Sequence, residues 1–478
     1  MAVQSQETLR DARPWDVAIV GAGPSGSVLA LRLAQLGHRV LLLERDRFPR
    51  RHLGESLTPG VKPLLQSCGA ESALLAGDAR AVGRIQVSWG PHSAPRDDPP
   101  AGGCIVDRAG FDHHLLKLAR AAGVRVLQPA HLECRQWTGN RWTLRIVWSG
   151  RRISAEAHML ADASGRARAL GGHRRKVAPS TVALYAYWRG SSLPHEPVME
   201  SGRNSWFWGV PLPDGSYNTL AFVDRESLQR SRTGPLGAWF GDRLAESRLL
   251  SGVRNARRWG PVRAMDATPY LADPVASPRC LRIGDAAVAI DPLSSSGVQK
   301  AIQAALAGAV VLHTMLRRPN DRHLALQFHR ESLERTSRRH LEWARGFYAT
   351  VAAHNPTPFW TARAKGASTP KPEVPFPENP STLLTRSPAV SIQLEPVLGS
   401  EFVERRAAVR RPDWDGSIAF LGGRELAPLV ADFPPVLAAG DVARWYESRV
   451  GPDAAPAVAA WLVRRGVLVP ARPAPDSE

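Results

Sequence analysis

The chain has no apolar run long enough to cross a bilayer, no cysteine pair at metal-ligand spacing and little lysine. A spanning helix needs roughly 20 consecutive apolar residues, so the reading is a soluble, cytoplasmic protein with no membrane partner. Residues 1–14, MAVQSQETLRDARP, lack the apolar core of a secretory signal. Cys68, Cys104, Cys134 and Cys280 stand far apart, with no Cys-x-x-Cys and no His at ligand spacing, which speaks for four reduced thiols and against a metal site or a disulfide framework. The 62 basic residues are overwhelmingly arginine, dispersed rather than blocked, and against 44 acidic residues they leave a net charge of +18. That excess fits the codon bias of a GC-rich genome or an acidic macromolecular partner better than nucleic acid.

What is present is 478 residues, 44% of them hydrophobic, enough for two or three domains. Residues 15–45 read WDVAIVGAGPSGSVLALRLAQLGHRVLLLER. The pattern predicts a strand over Asp16–Val20, a helix over Ser27–Leu36 and a strand over Arg39–Leu43, a complete βαβ unit. Gly21 permits the tight turn, Gly23 lets backbone approach a pyrophosphate, and Gly26 lets helix pack on strand. Pro24 and Ser25 lie in the turn that leads into the helix, whose free N–H groups favour phosphate. Glu44, followed by Arg45, ends the second strand, where a carboxylate accepts hydrogen bonds from ribose hydroxyls.

Three later segments complete a pattern: Val106-Asp107-Arg108-x-x-Phe111-Asp112; Met159 to Arg166, containing Asp162 and Gly165; and Leu281 to Ala287, containing Asp285, followed by Asp291-Pro292-Leu293-Ser294-Ser295-Ser296-Gly297 and a helix over Val298–Leu316. In this order they resemble the motifs of the FAD-binding superfamily of aromatic hydroxylases, flavin-dependent halogenases and geranylgeranyl reductases, over roughly residues 14–345. The resemblance implies an α/β fold. A Rossmann-like FAD-binding domain would occupy 12–83, 104–173 and 276–350, and an antiparallel-sheet substrate domain 84–103 and 174–275. A linker over 351–380 and a small C-terminal domain over 381–478 would follow. It also implies that Arg108 and Asp162 lie by the FAD, that Asp285 holds the ribitol, and that Pro292, Ser295, Ser296, Gly297 and Val298 face the isoalloxazine.

Strand-like segments Arg84–Trp89, Thr181–Tyr187, Ser205–Val210 and Tyr217–Val223 supply the second sheet, the last two joined by a Pro-Asp-Gly turn. Residues 368–380, STPKPEVPFPENP, read as a surface linker. The C-terminal end reads helix (Val442–Arg449), helix (Ala455–Arg465), Gly466, strand (Val467–Pro470), similar to a small winged-helix module suited to docking a protein or peptide.

Trp206-x-Trp208-x-Val210-Pro211 resembles the W-x-W-x-I-P run of flavin-dependent halogenases, and Gly54-Glu55-Ser56-x-x-Pro59 their G-E-S/A-x-x-P loop. Strand alternation puts Trp206 and Trp208 on one face and Phe207 on the other. The halogenases hold hypohalous acid with a lysine ahead of the strand that here is Arg84–Trp89. Gly77–Gly83, GDARAVG, has none, and Lys62 and Lys117 lie on other elements. Where the tryptophan halogenases carry a glutamate in the Pro-Leu-x-Ser loop, this chain has Ser294.

The resemblance without the lysine implies an FAD monooxygenase, reduced by NAD(P)H and using O₂ through a flavin C4a-hydroperoxide. Trp206 and Trp208 would wall the pocket or simply pack the sheet. The base is left among Glu55, His52 and the His113–His114 pair, with Glu55 favoured by its loop and by the raised pKa a buried carboxylate acquires. A subgroup of halogenase-like flavoproteins joins these features: those that hydroxylate a tryptophan on a protein or peptide in tryptophylquinone maturation, as for quinohemoprotein amine dehydrogenase. The implied partner is an acidic protein or peptide. A halogenase, a geranylgeranyl-reductase-like enzyme and a non-catalytic flavin-binding module are the competing readings.

Overall fold

The computed structural model describes residues 7–8, 13–96, 103–231, 234–368 and 374–471. Parts of the expected segments, residue 12 and residues 97–102, 232–233, 369–373 and 472–478, lie outside the described residues. The chain divides into two units, residues 1–368 and 369–478.

In chain order the first unit contains β1 (Trp15–Val20), α1 (Pro24–Gln35), β2 (Val40–Leu43), β3 (Ile85–Trp89), β4 (His92–Arg96) and α2 (Arg108–Ala121). It continues with β5 (Arg125–Leu127), β6 (Ala130–Thr138), β7 (Arg141–Trp148), β8 (Arg151–Asp162) and β9 (Thr181–Arg189). Then come β10 (Val198–Ser201), β11 (Trp206–Pro211), β12 (Tyr217–Asp224), β13 (Arg257–Asp266) and β14 (Cys280–Arg282). The helices α3 (Gly297–Arg317), α4 (Arg322–Ala352) and α5 (Pro358–Ala364) close the unit.

Strands β5, β2, β1, β8 and β14 pair in parallel in that order. Every residue of β2, Val-Leu-Leu-Leu, is buried, as a strand covered on both faces requires. β8 continues antiparallel into β7 and β6. Helices α1 and α3 pack together, and a Cβ on Gly308 would come within 2.5 Å of Ile283 Cδ1, so that glycine sets how closely α3 approaches the sheet.

The second sheet has seven strands in the order β13-β9-β12-β11-β10-β3-β4. Alternation sorts its faces. Phe207, Tyr217, Ala221, Val223, Val182 and Leu184 pack with Phe240 in one core. Trp206, Leu220, Phe222 and Ala183 pack on the other face with Trp89, Tyr348 and Trp360, and Trp208 joins them. The expected division of Trp206 and Trp208 from Phe207 is what the strand forms.

Strands β10 and β13 were not among the expected segments. β13, Arg-Arg-Trp-Gly-Pro-Val-Arg-Ala-Met-Asp, carries no apolar alternation, because it is the exposed edge of the sheet. Residues 351–368, expected in the linker, instead finish α4 and form α5, whose Phe359, Trp360 and Arg363 are buried.

The second unit holds β15 (Leu383–Arg386), a hairpin of β16 (Ser391–Leu398) and β17 (Val403–Arg410), then α6 (Leu426–Ala431), β18 (Leu437–Ala438), α7 (Ala439–Val450), α8 (Ala455–Arg464) and β19 (Leu468–Pro470). Strand order β18-β15-β19 closes a small sheet, and α6, α7 and α8 share a core centred on Leu426, Tyr446 and Leu462. The two last helices and the last strand follow the expected pattern, whereas the long hairpin was not anticipated. No helix among the described residues is long and apolar enough to cross a membrane.

Candidate active site

A cavity of ≈ 610 Å³ runs from the β1–α1 turn to the Trp206–Trp208 face of the second sheet, within the roughly 300–1,000 Å³ range of cofactor pockets. At one end Gly21 adopts φ +100°, and a side chain there would strike Ala163 O at 2.6 Å. A Cβ on Gly26 would lie 1.8 Å from Gly21 O, so the turn and helix pack backbone to backbone. A Cβ on Gly23 would meet nothing nearer than Arg50 Nη2, 4.0 Å away. Pro24 sits in the first turn, and no side chain caps the α1 N-terminus. Open N–H groups and the positive helix end therefore face open space.

Glu44 is buried, and its carboxylate accepts from Ala22 N at 2.7 Å and Asp46 N at 2.9 Å while lining the cavity beside Arg45 and Ser25. Arg50, a residue the motif reading missed, lines the same end; its Nε and Nη1 are buried without a hydrogen bond and make only longer ion pairs, with Asp46 Oδ2 at 3.8 Å and Asp112 Oδ2 at 3.5 Å. A guanidinium with hydrogen-bonding capacity to spare opposite an uncapped helix is suited to a pyrophosphate.

Arg108 also lines the cavity, but its guanidinium is spent on the protein. It pairs with both oxygens of Asp112 at 2.9 and 3.0 Å and donates to Leu53 O and Gly54 O at 2.8 and 3.1 Å. It thus tethers the 50–57 loop to α2. Asp162 is not a lining residue. Its oxygens accept from Ser164 N and Leu170 N, both at 3.1 Å, and so shape the turn whose Ala163, Gly165 and Arg166 do line the cavity.

At the other end α3 begins with an uncapped N-terminus after Ser295, which sits at φ +49°. Pro292, Ser295, Gly297 and Val298 line the cavity there, whereas Gly26 and Ser296 do not. Two open helix N-termini thus address one cavity. Asp285 lines it between them. Burial opposes its ionisation, but Lys300 Nζ at 2.5 Å and Arg166 Nε at 3.6 Å hold it below the usual carboxylate range. The uncapped helices, the open side of Gly23 and the Arg50 guanidinium fit FAD: Gly21–Ser25 and Arg50 would hold the pyrophosphate, Glu44 the adenosine ribose, and Pro292–Val298 would face the ring.

Beyond them Trp206, Trp208, Leu220 and Phe222 form an apolar wall, Trp206 stacking on Phe222 with ring centroids 3.7 Å apart. Glu55, like Asp291, is a buried carboxylate that lines the cavity here. Its Oε1 accepts from Tyr187 Oη at 3.1 Å and Asn218 Nδ2 at 3.2 Å, and Oε2 from Gly54 N at 2.9 Å. Burial pushes its carboxyl above the usual range despite these donors. Tyr187 and Asn218 were also missed. They are a cross-strand pair of β9 and β12, and the only signal was a buried-strand asparagine in Tyr-Asn-Thr-Leu-Ala-Phe-Val.

His52 lines the cavity, with Nδ1 2.8 Å from Leu53 O, whereas His113 and His114 on α2 do not, His114 Nε2 instead lying 2.9 Å from Ser72 Oγ. No lysine is among the described residues that line the cavity. In the 77–83 segment Arg80 is exposed and donates to Pro213 O at 2.6 Å. Among the described residues no group of three His, Cys, Asp or Glu side chains could hold a metal ion.

A family model described as tryptophan halogenase matches residues 103–374, and one described as NAD(P)-binding Rossmann-like domain matches 19–54. The tryptophan 2-halogenase of Chondromyces crocatus is 30% identical over 371 residues, 73% of this chain and 70% of that protein. The flavin-dependent halogenase armH4 of Armillaria mellea is 28% identical over 70% of this chain and 72% of its own. The structure of CmlS, a flavin-dependent halogenase, shares the fold with a TM-score of 0.79 at 20% identity over 96% of both chains. That of the peptidyl tryptophan dihydroxylase QhpG, essential for tryptophylquinone cofactor biogenesis, aligns with a TM-score of 0.73 at 27% identity over 95% of this chain and 100% of its own.

Proposed function

For a chain that belongs to the tryptophan halogenase family of flavin-dependent enzymes, we propose oxygenation in place of halogenation: an FAD-dependent monooxygenase that hydroxylates a tryptophan side chain of an acidic protein or peptide, with NAD(P)H as reductant and O₂ as co-substrate. The observation that carries this reading is a cavity whose aromatic end holds a buried glutamate and no lysine. The length-wide likeness to a peptidyl tryptophan dihydroxylase supports the substrate class and a place in tryptophylquinone maturation, and the net charge of +18 supports an acidic partner. A cytoplasmic location belongs to the same proposal.

Bound FAD, once reduced, supplies the activation of O₂. The protein does the rest. Trp206, Trp208, Leu220 and Phe222 exclude water from the reacting ring. Glu55 accepts the proton that the ring gives up, and Tyr187 and Asn218 hold its Oε1 in one orientation. A base must be ionised to act, so burial, by raising its pKa, strengthens it as a proton acceptor.

Halogenation is the second reading, favoured by what the relatives are named for. The FAD-loaded protein, given NADH, O₂ and an acidic tryptophan-bearing peptide, should consume NADH in proportion to peptide and yield product heavier by oxygen. NADH oxidation with the peptide unchanged would overturn the proposal.

A further inference from the structure

The aromatic wall of the cavity continues inward as a chain of redox-active rings. Trp206 meets Trp89 edge to face at 6.2 Å between centroids, and Trp89 meets Trp360 at 5.4 Å and Tyr348 at 6.4 Å. Trp360 and Tyr348 are 5.9 Å apart. All four rings are buried, and only Trp206 lines the cavity. Their polar atoms differ. Trp89 Nε1 donates to Phe347 O at 2.9 Å, and Trp360 Nε1 to Gly202 O and Arg203 O at 3.2 and 3.1 Å. Amide oxygens such as these take up no proton at neutral pH, so an oxidised indole held by them remains a cation. Trp206 Nε1 makes no well-aligned hydrogen bond, but it interacts with the Tyr348 hydroxyl. Tyr348 alone faces a base: its Oη donates to Asp291 Oδ1 at 3.0 Å.

Ring packing by itself explains the aromatic contacts. It places no requirement on a carboxylate. Asp291 is buried, and it already accepts from Leu293 N at 3.0 Å as the cap of the 292–294 turn. Holding such a group away from water costs free energy that a hydrophobic contact would not.

We propose that Trp206, Trp89, Trp360 and Tyr348 form a hole-transfer cluster that draws one-electron oxidising equivalents off the cavity wall and lodges them on Tyr348, with Asp291, a carboxylate that also lines the cavity, as the proton acceptor. The oxidant is a one-electron acceptor in the cavity, of the hydroxyl-radical or photoexcited-flavin class. It gains one electron and Trp206 loses one. Trp89 or Tyr348 refills Trp206, and Trp360 or Tyr348 refills Trp89. At the end Tyr348 gives an electron to the neighbouring indole cation and its phenolic proton to Asp291, leaving a neutral tyrosyl radical, a carboxylic acid and closed-shell indoles. Burial pushes the Asp291 carboxyl above the usual range, which suits it to keep that proton. The chain would spare the catalytic wall from oxidation whenever reduced oxygen escapes productive transfer. It requires bound FAD for its test but not the hydroxylation reading, so either can fail alone.

The test is a blue-light flash on the FAD-loaded protein, followed by transient absorption and by freeze-trapped electron paramagnetic resonance. The wild type should show a neutral tyrosyl radical. Tyr348→Phe should lose that signal and leave a short-lived tryptophan cation. Asp291→Asn, which keeps the turn cap, should lose it as well, and Trp206→Phe should lower the yield of every aromatic radical. If the variants at 348 and 291 fail to retain FAD, Trp360→Phe supplies the test through a lowered tyrosyl yield. A tyrosyl signal unchanged in Tyr348→Phe or Asp291→Asn, or the absence of any aromatic radical in the wild type, would overturn the proposal.

Discussion

At the nucleotide end of the cavity, Gly21, Gly23, Gly26 and Glu44 belong to one βαβ unit and meet through a single turn. At the aromatic end, Glu55 comes from a loop, Tyr187 from β9, Trp206 and Trp208 from β11 and Asn218 from β12. The first site is local geometry, in which backbone fit decides everything. The second is an assembly whose members meet only because β12 pairs in one register with β9, setting Tyr187 opposite Asn218, and with β11, setting Trp206 opposite Phe222. A one-residue slip would turn all of them to the other face.

Substitutions should therefore act differently at the two ends. Gly26→Ala puts a methyl carbon into Gly21 O, and the expected outcome is loss of FAD together with a melting temperature well below wild type, read from flavin absorbance and calorimetry. Phe207→Ala, on the core face of β11, should cost about 3–5 kcal/mol of stability. By contrast Trp208→Phe, one residue on but facing the cavity, should leave denaturant midpoints nearly unchanged and lower turnover.

Glu55→Gln keeps the shape of the carboxylate, and its expected effect is a loss of about 100-fold or more in kcat/KM with FAD affinity retained. The pH profile sharpens this. With burial raising the Glu55 pKa, the reactive carboxylate accumulates only as pH rises through that value, so wild-type kcat/KM should climb above the ordinary carboxylate range, and the climb should vanish in Glu55→Gln. The stability consequence has the opposite sense: a carboxyl with a raised folded pKa favours the fold when protonated, and that contribution is lost as pH rises through the same value.

Tyr187→Phe should have the smallest effect. It removes one donor worth about 1 kcal/mol and should move the climb further toward alkaline pH, because the lost hydrogen bond favoured the ionised form.

The contrast also explains what could be read in advance. The Gly-x-Gly-x-x-Gly run, Glu44 and the 291–298 loop are contiguous, so their spacing carries their geometry. The two faces of β11 follow from alternation alone. A carboxylate at a strand end serves either a ligand or its own turn, and Asp162, expected by the FAD, braces 164–170. Arg50, Tyr187 and Asn218 were missed because their roles depend on tertiary approach. β13 escaped because an exposed edge strand needs no apolar pattern.

The central claim is that the aromatic end, without a lysine, transfers oxygen rather than halogen. The most direct measurement is mass spectrometry of a tryptophan-bearing acidic peptide after turnover by the FAD-loaded protein under ¹⁸O₂ in the presence of bromide. The account predicts ¹⁸O on the tryptophan side chain and a yield independent of bromide. A bromine isotope pattern on the product, without ¹⁸O, would contradict it.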